Sequence, residues 1–405
     1  LRPRGDSPNK LEVVLSILAM DQKLQTALVH DVLQHIDAGT TQLAAETYCN
    51  PVSHYTSPER LSKERKVLFR QRPLLVGLSC QLPKPGDFLT CDHTGVPQLV
   101  VRGEDGTVRA FMNVCRHRGA RVAEGHGTTG KRFRCPYHGW NYDTRGNLVG
   151  IPDKQSFPGI DRSDCGLISL PATESDGMIW ASATPAQTGD VSSEIDMRSQ
   201  LGGLGPELGS YNLASHYHYA SRSLHLKMNW KLAIDTFLEP YHFGVLHKNS
   251  ISPIFFSNLC LFHPFGPHLR VTYPRRSIES LRDLSEEEWD LVTHTALVYV
   301  LFPNTVFVVQ ADHLEIWRIY PLDNAVDRSV IILDFLVPEP VISESAGAHW
   351  ERNLELVIGT VSNEDFPTGE GIQFGFDSGA QSHLTYGRNE PALAYFEQTV
   401  SEMVQ

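Results

Sequence analysis

Hydrophobic positions along the chain change period three times. From about Lys10 to Gln42 they recur at helical spacing (Leu11, Val14, Leu15, Leu18, then Leu24, Leu28, Val32, Ile36), which predicts a helical start. Residues 51–73 are polar and rich in proline and charge, the composition of a linker. Between 74 and 185, short apolar runs (LLVGLSC, PQLVVR, VRAFMNV, GMIWASAT) are divided by Gly, Pro, Asp and Thr turns, the pattern of a small all-β domain. The polar, Gly-rich stretch TPAQTGDVSSEIDMRSQLGGLGPELGS then marks a boundary.

Beyond it, residues 186–405 mix the two periods. YNLASHYHYASRSLHLKM alternates like a strand and runs into NWKLAIDTFLEPYH, which has helical periodicity. Three β-rich runs follow (ALVYVLFPNTVFVVQA, LEIWRIYPL, RSVIILDFLV). Connections of hairpin length favour an antiparallel sheet. Helical segments near 343–361 and 390–403 would cover one of its faces. The organisation is thus 1–73, helical segment and linker; 74–185, β domain; and 186–405, an α+β domain.

Composition narrows the function. The chain has 405 residues, 41% hydrophobic and 20% charged, with 35 Lys plus Arg against 47 Asp plus Glu and a formal charge of -12. That balance argues for a folded protein and against nucleic acid as a partner. No apolar run approaches the roughly 20 residues of a membrane span, and the polar opening LRPRGDSPNK reads as a tail without a secretory signal. Seven scattered cysteines do not make a disulfide scaffold, so a reducing, cytoplasmic setting is expected.

NVCRHRGA and RCPYHGW offer Cys115, His117, Cys135 and His138, one thiolate and one imidazole from each loop, with 17 residues between. Two facing loops of this kind can put both cysteines on one iron and both histidines on a second. A Cys2His2 zinc site usually carries its cysteines as one pair and its histidines as another; here the types are interleaved. Gly119 and Gly139 stand where a tight turn would bring backbone N–H groups near the sulfurs. His126 lies off the pattern and reads as a surface residue. The segment from Asn113 to Pro152 closely resembles the Rieske [2Fe-2S] domain, which makes these four residues the expected cluster ligands.

NWKLAIDTFLEPYHFGVLH places Asp235, Glu239 and His242 at i, i+4 and i+7, one face of a helix if the helix is continuous. His247 would point about 140° away from His242 on an unbroken helix, so convergence needs a backbone change, for which Gly244 is placed. Two histidines and one carboxylate with open positions are the ligands of non-haem iron(II) oxygenases. No HExxH of a zinc protease is present. The segment resembles the iron-binding motif of Rieske oxygenase catalytic domains, and SNEDFPTGEGIQ resembles the family's C-terminal motif. The resemblance implies His242, His247 and Asp365 as metal ligands, with Glu364 as the rival of Asp365 and Glu370 and Gln373 as its followers. His216 and His218, which share one face of a strand, read as structural or pocket-lining.

Membership in the Rieske oxygenase family would imply an α+β fold: N-terminal helical segment, small all-β Rieske domain, and a helix-grip-like catalytic domain with an antiparallel sheet covered by helices. It implies a [2Fe-2S] cluster and a mononuclear Fe(II), a reductase with or without a ferredoxin as electron donor, dioxygen and a small organic substrate, and a homotrimer with or without a small β subunit. The ring follows because a cluster histidine of one chain meets a carboxylate of the next; here the parts would be His138, Glu239 and His242, with Asp235 as second choice for the bridge. Many aromatic-ring dioxygenases have Asp where this chain has Glu239; Glu occurs in branches resembling carnitine and betaine monooxygenases. No dinucleotide fingerprint is present. Thr236, Phe243, Leu301, Phe302 and Phe307 are the candidates for pocket walls around an apolar or aromatic substrate, or a quaternary ammonium held by aromatic faces. Competing readings are a Rieske electron carrier without catalysis, which leaves the second motif unexplained, and a zinc-stabilised interaction protein, which explains neither.

Overall fold

A computed structural model describes residues 20–185 and 195–405, so Leu11, Val14, Leu15 and Leu18 lie outside the described residues. The chain divides into two compact units: one built from residues up to Ser57, Leu201–Ile319 and Ala325–Glu402, the other from Pro58–Gln200 with two short later pieces.

The smaller unit is mostly antiparallel β. Its five-stranded sheet runs Ser169–Leu170, Val108–Met112, Gln98–Arg102, Asp87–Cys91, His126–Thr128, beside two three-stranded sheets. Period-two alternation decides the packing. In the central strand Leu99 and Val101 join one core cluster with Phe111, Phe133, Trp140 and Tyr142, while Val100 joins another with Val76, Leu89 and Ile179. The hairpin of Arg132–Arg134 and Asn141–Asp143 holds the second Cys/His loop at its tip. The expected linker is helical instead: Ser53–Thr56, Pro58–Glu64 and a wide turn at Arg65–Arg70. Tyr55, Leu61, Leu68 and Phe69 are buried there, so sparse apolar residues were enough to hold short helices once packed.

The larger unit is organised around a seven-stranded sheet in the order Tyr217–Leu226, Ser329–Val337, Leu314–Pro321, Thr305–Val309, Thr295–Leu301, His268–Pro274, Leu261–Phe265. Successive strands from Leu261 to Leu314 pair as antiparallel hairpins. Phe307, Leu333 and Phe335 are almost wholly out of water. Each such burial contributes about 1.5–3 kcal/mol, above the roughly 1 kcal/mol range of strand propensities, so packing fixes these strands.

Two helices set the position of the site. Glu344–Thr360 is capped by Ser343, whose hydroxyl accepts from the Ala346 N–H, and lays Trp350 against Phe335 and His313. It continues through a wide π-type turn, Val361–Asp365, into Phe366–Phe376. Pro391–Met403 packs Phe396 against Trp230 and Phe302. The first described helix is Gln22–Ala38, closed by Gly39 in the left-handed conformation. No described helix is long and apolar enough to cross a membrane.

Candidate metal centres

In the smaller unit the two Cys/His loops have the same local design. The Cys115 carbonyl accepts from the Gly119 N–H at 2.9 Å and the Cys135 carbonyl from the Gly139 N–H at 3.0 Å. Both glycines have positive φ, 80° and 70°, which closes each loop tightly. Cys115 and Cys135 are buried. Burial raises the pKa of the Cys115 thiol, and the adjoining Cys135 raises it further, against the pull of the Tyr142 hydroxyl 3.3 Å away. Tyr142 is itself fixed, accepting from the Arg116 N–H at 3.0 Å.

The rings of His117 and His138 lie 4.6 Å apart, and His117 stacks on Trp140 at 4.9 Å. Nδ1 of His117 is buried with no hydrogen-bond partner. An orphaned imidazole nitrogen beside two buried thiols is a costly arrangement unless metal takes all of them. This donor set therefore fits the two-iron cluster. His138 is exposed, and Tyr137 next to it is 56% exposed.

In the larger unit the second centre is built on a broken helix. The helix starting at Trp230 ends at Asp235. Pro240 supplies no N–H, and a separate 3-10 turn covers Tyr241–Gly244. Asp235, Glu239 and His242 thus do not share one helix face, contrary to the expectation from spacing. Glu239 caps the short turn, accepting from the N–H groups of Tyr241 and His242, and also holds Nδ1 of His242. Gly244 has no positive φ; an added Cβ would lie 3.2 Å from the Ser257 hydroxyl, so its role is close packing and the break at Pro240 reorients the chain.

Three groups converge there. Nε2 of His242 and Nε2 of His247 are 3.1 Å apart, and Oδ1 of Asp365 is 3.3 Å and 3.2 Å from them. His247 and Asp365 are buried and His242 is partly so. Nδ1 of His247 pairs with Glu364, which also accepts from the Ser250 hydroxyl at 2.6 Å. Carboxylates at both Nδ1 atoms fix the tautomers, leaving the two Nε2 lone pairs facing each other and an anionic oxygen. Such a cluster of donors needs a cation. Consistent with this, burial lowers the His242 pKa, but Asp365 and Glu239 outweigh it and hold it at about 9. The set fits a divalent metal and leaves room for further ligands.

The π-type turn explains why neighbours in sequence reach one site. Consecutive residues of a regular helix diverge by about 100°; here Glu364 meets His247 from outside and Asp365 meets both histidines from within. Glu370 and Gln373 act one level out, accepting from the N–H groups of Lys227 at 2.8 Å and Asn229 at 2.9 Å. They tie the helix that follows Asp365 to the segment before Trp230.

A cavity of about 820 Å³ opens at this centre. Thr236, Phe243, Glu239, His242, His247 and Asp365 line it, with Phe237, Val298, Val308, Trp317 and Trp350. Leu301, Phe302 and Phe307, expected in its wall, are not. Phe307 packs on Tyr211 and Tyr299, while Val308 pairs with Val298 and faces the cavity; strand alternation puts the phenyl ring on the opposite face.

Asp235 is also outside the wall. Its Oδ2 is 2.7 Å from the Tyr55 hydroxyl, which lies 2.7 Å from that of Tyr386 and 3.0 Å from Glu397. Burial and Glu397 push its pKa well up. Its carboxylate is thus taken up by this network, while Glu239 is the carboxylate on Nδ1 of His242. His216 contacts the Asn212 carbonyl at 3.2 Å and His218 contacts Ser221 and Asp334; neither lines the cavity. His126 is exposed.

Residues 72–167 match the family Rieske [2Fe-2S] domain, and residues 213–405 match Ring hydroxylating alpha subunit (catalytic domain). The biphenyl 2,3-dioxygenase subunit alpha of Rhodococcus jostii (strain RHA1) is 38% identical over 152 residues, 37% of this chain and 32% of that protein. The carnitine monooxygenase oxygenase subunit of Escherichia coli (strain K12) is 29% identical over 209 residues, 50% of this chain and 53% of that protein. The chain thus spans between about a third and about half of the length of these curated relatives. Among solved structures, a quaternary ammonium Rieske monooxygenase in complex with L-carnitine superposes with a TM-score of 0.74 at 20% identity, covering 89% of this chain and 97% of that one, a likeness of fold. The chain thus carries a Rieske [2Fe-2S] domain followed by the catalytic domain of a ring-hydroxylating alpha subunit.

Proposed function

We propose that the chain is the terminal oxygenase component of a Rieske system, hydroxylating an apolar or aromatic organic substrate with dioxygen. The observation that carries this reading is the convergence of two tautomer-fixed Nε2 atoms and Asp365 on one point in the wall of a largely apolar cavity. A bare electron carrier has no use for that arrangement. When bound, the cluster supplies single electrons and the ferrous ion supplies open positions for dioxygen.

The residues of the chain have distinct tasks in this reading. Cys115, His117, Cys135 and His138 hold the cluster; His242, His247 and Asp365 hold the iron. Glu239 and Glu364 keep each Nδ1–H in place and make the imidazoles better donors. Phe237, Phe243, Trp317 and Trp350 exclude water from the substrate and stack on its rings. Glu239, already on His242, is the bridge toward His138 of a neighbouring copy in a homotrimer. A reductase, with or without a ferredoxin, delivers the electrons, and a small β subunit is compatible with the ring. Seven scattered cysteines in 405 residues fit the cytoplasm.

The aromatic walls would also suit a quaternary ammonium, and the named activity of the carnitine relative points that way. The carboxylates available to attract such a cation are already occupied. Glu315 accepts from Gln310, His313 and Trp317, and Asp312 from His313, His349 and Asn353. An uncharged apolar or aromatic reacting group is the better fit.

Asp365→Ala is the direct test. The variant is expected to keep the visible absorption of the cluster, to lose about one iron per chain, and to incorporate no oxygen into substrate by product mass. Full iron retention would place the ligand elsewhere.

A further inference from the structure

Among the described residues, the cavity wall contains one cation whose hydrogen-bonding capacity is only partly spent. Arg275 reaches it from the end of the strand His268–Pro274. Its Nη2 donates to Gln310 Oε1 at 2.7 Å and its Nε to the Thr295 carbonyl at 3.3 Å. Its guanidinium carbon lies 5.0 Å from the ring centre of Phe255, another residue of the wall. These contacts fix the guanidinium plane. The remaining N–H donors, those of Nη1 among them, have no protein partner among the described residues.

The neighbouring acids do not neutralise it. Asp312 and Glu315 are close enough to act on Arg275 through space, but no carboxylate pairs with it among the described residues. Both are bonded instead to His313, which is buried between them, with Nδ1 2.7 Å from Asp312 and Nε2 3.2 Å from Glu315. Gln310 stands between the two groups, accepting from Arg275 and donating to Glu315 at 3.1 Å. The acids already accept from histidine, tryptophan and amide donors. The guanidinium keeps N–H donors to spare, and a partly buried charge with free N–H groups strongly favours an anionic acceptor.

We propose that Arg275 is a specificity-determining residue that binds a carboxylate carried by the substrate, so that the substrate class is an apolar or aromatic body bearing an anionic oxygen group. This deepens the proposed function and rests on the cavity being the substrate site. The carboxylate would take the free Arg275 donors, while the aromatic and aliphatic walls take the body. Of the cavity-lining charges among the described residues, Glu239, His242, His247 and Asp365 belong to the metal centre and Asp312, Glu315, His313 and His349 bond one another, which leaves the Arg275 donors to select for charge.

The test is equilibrium binding by calorimetry to the metal-loaded, full-length protein, with naphthalene-2-carboxylate and its neutral isostere naphthalene-2-carboxamide as probes. Wild type is expected to bind the carboxylate at least about 10-fold more tightly. Arg275→Gln should lose about 10- to 100-fold for the carboxylate and leave the carboxamide unchanged, whereas Arg275→Lys should recover part of the loss. Equal affinity for both probes in wild type, no binding of the carboxylate, or an equal loss of both probes in Arg275→Gln would overturn the assignment. Iron and sulfide analysis of the same samples keeps the two questions apart. A protein lacking the mononuclear iron yet preferring the carboxylate defeats the oxygenase reading alone, and an iron-loaded protein indifferent to charge defeats the Arg275 assignment alone.

Discussion

Glu364 and Asp365 have the same chemistry and adjacent positions, but opposite relations to the imidazoles. Asp365 faces both Nε2 atoms, whereas Glu364 holds Nδ1 of His247 and is anchored by Ser250. Glu364 is thus a positioning residue. Glu364→Gln is predicted to weaken retention of the mononuclear iron by about 10- to 100-fold in competition with a chelator, with the absorption of the cluster unchanged. Unaltered iron affinity would mean that Glu364 merely caps the turn. The resemblance to the family's motifs made His242, His247 and Asp365, which the structure brings together, legible in the sequence. The role of Glu364 was not, because it depends on a wide helical turn that no local pattern announces. Asp235 shares helical spacing with Glu239 and His242, but the helix ends at Asp235 itself, and Tyr55, distant in sequence, bonds its carboxylate.

At the scale of elements, alternation reveals strands more readily than it reveals which face of a strand meets a cavity. The strands Thr295–Leu301 and Thr305–Val309 are buried on both faces, so Phe307 and Val308 look alike in sequence although only Val308 reaches the cavity. The helix Phe366–Phe376 was hidden by its glycines, which disfavour helix in isolation. Packing explains one of them: a Cβ on Gly369 would lie 2.5 Å from the Met228 sulfur, so glycine is what allows this helix close to the segment before Trp230.

The strand Ser329–Val337 also carries a buried charge, Asp334, which accepts from Arg318 at 2.6 Å and from Ser221 at 2.5 Å, with His218 at 3.1 Å. Burial would raise its pKa, but Arg318, His218 and Ser221 outweigh this and hold it at about 2. A carboxyl depressed in the folded state adds stability above its unfolded pKa and loses it as the pH falls through the folded value. Asp334→Asn should therefore lower unfolding stability by on the order of 2 kcal/mol or more at neutral pH. The gap from wild type should stay constant down to about pH 4 and narrow between about pH 4 and 2. Denaturant melts across that range check it; a gap independent of pH throughout would mean that packing, not charge, is what the substitution removes.

On the scale of the whole molecule, two units carry two unlike donor sets. The smaller offers thiols and imidazoles interleaved in tight loops; the larger offers imidazoles and a carboxylate beside an apolar cavity. Both were visible as motifs in the sequence, in the order that the family matches repeat. Substrate selection was not visible, because Arg275, Gln310 and Trp350 lie on separate elements and share a wall only through the sheet and its covering helix.

Metal and sulfide content of the purified, anaerobically reconstituted chain tests most directly that one polypeptide carries both centres. About two acid-labile sulfides and about three irons per chain are predicted, with the reduced cluster giving the electron paramagnetic resonance of a histidine-ligated two-iron centre. Zinc without sulfide, or sulfide with only about two irons even in iron excess, would contradict it.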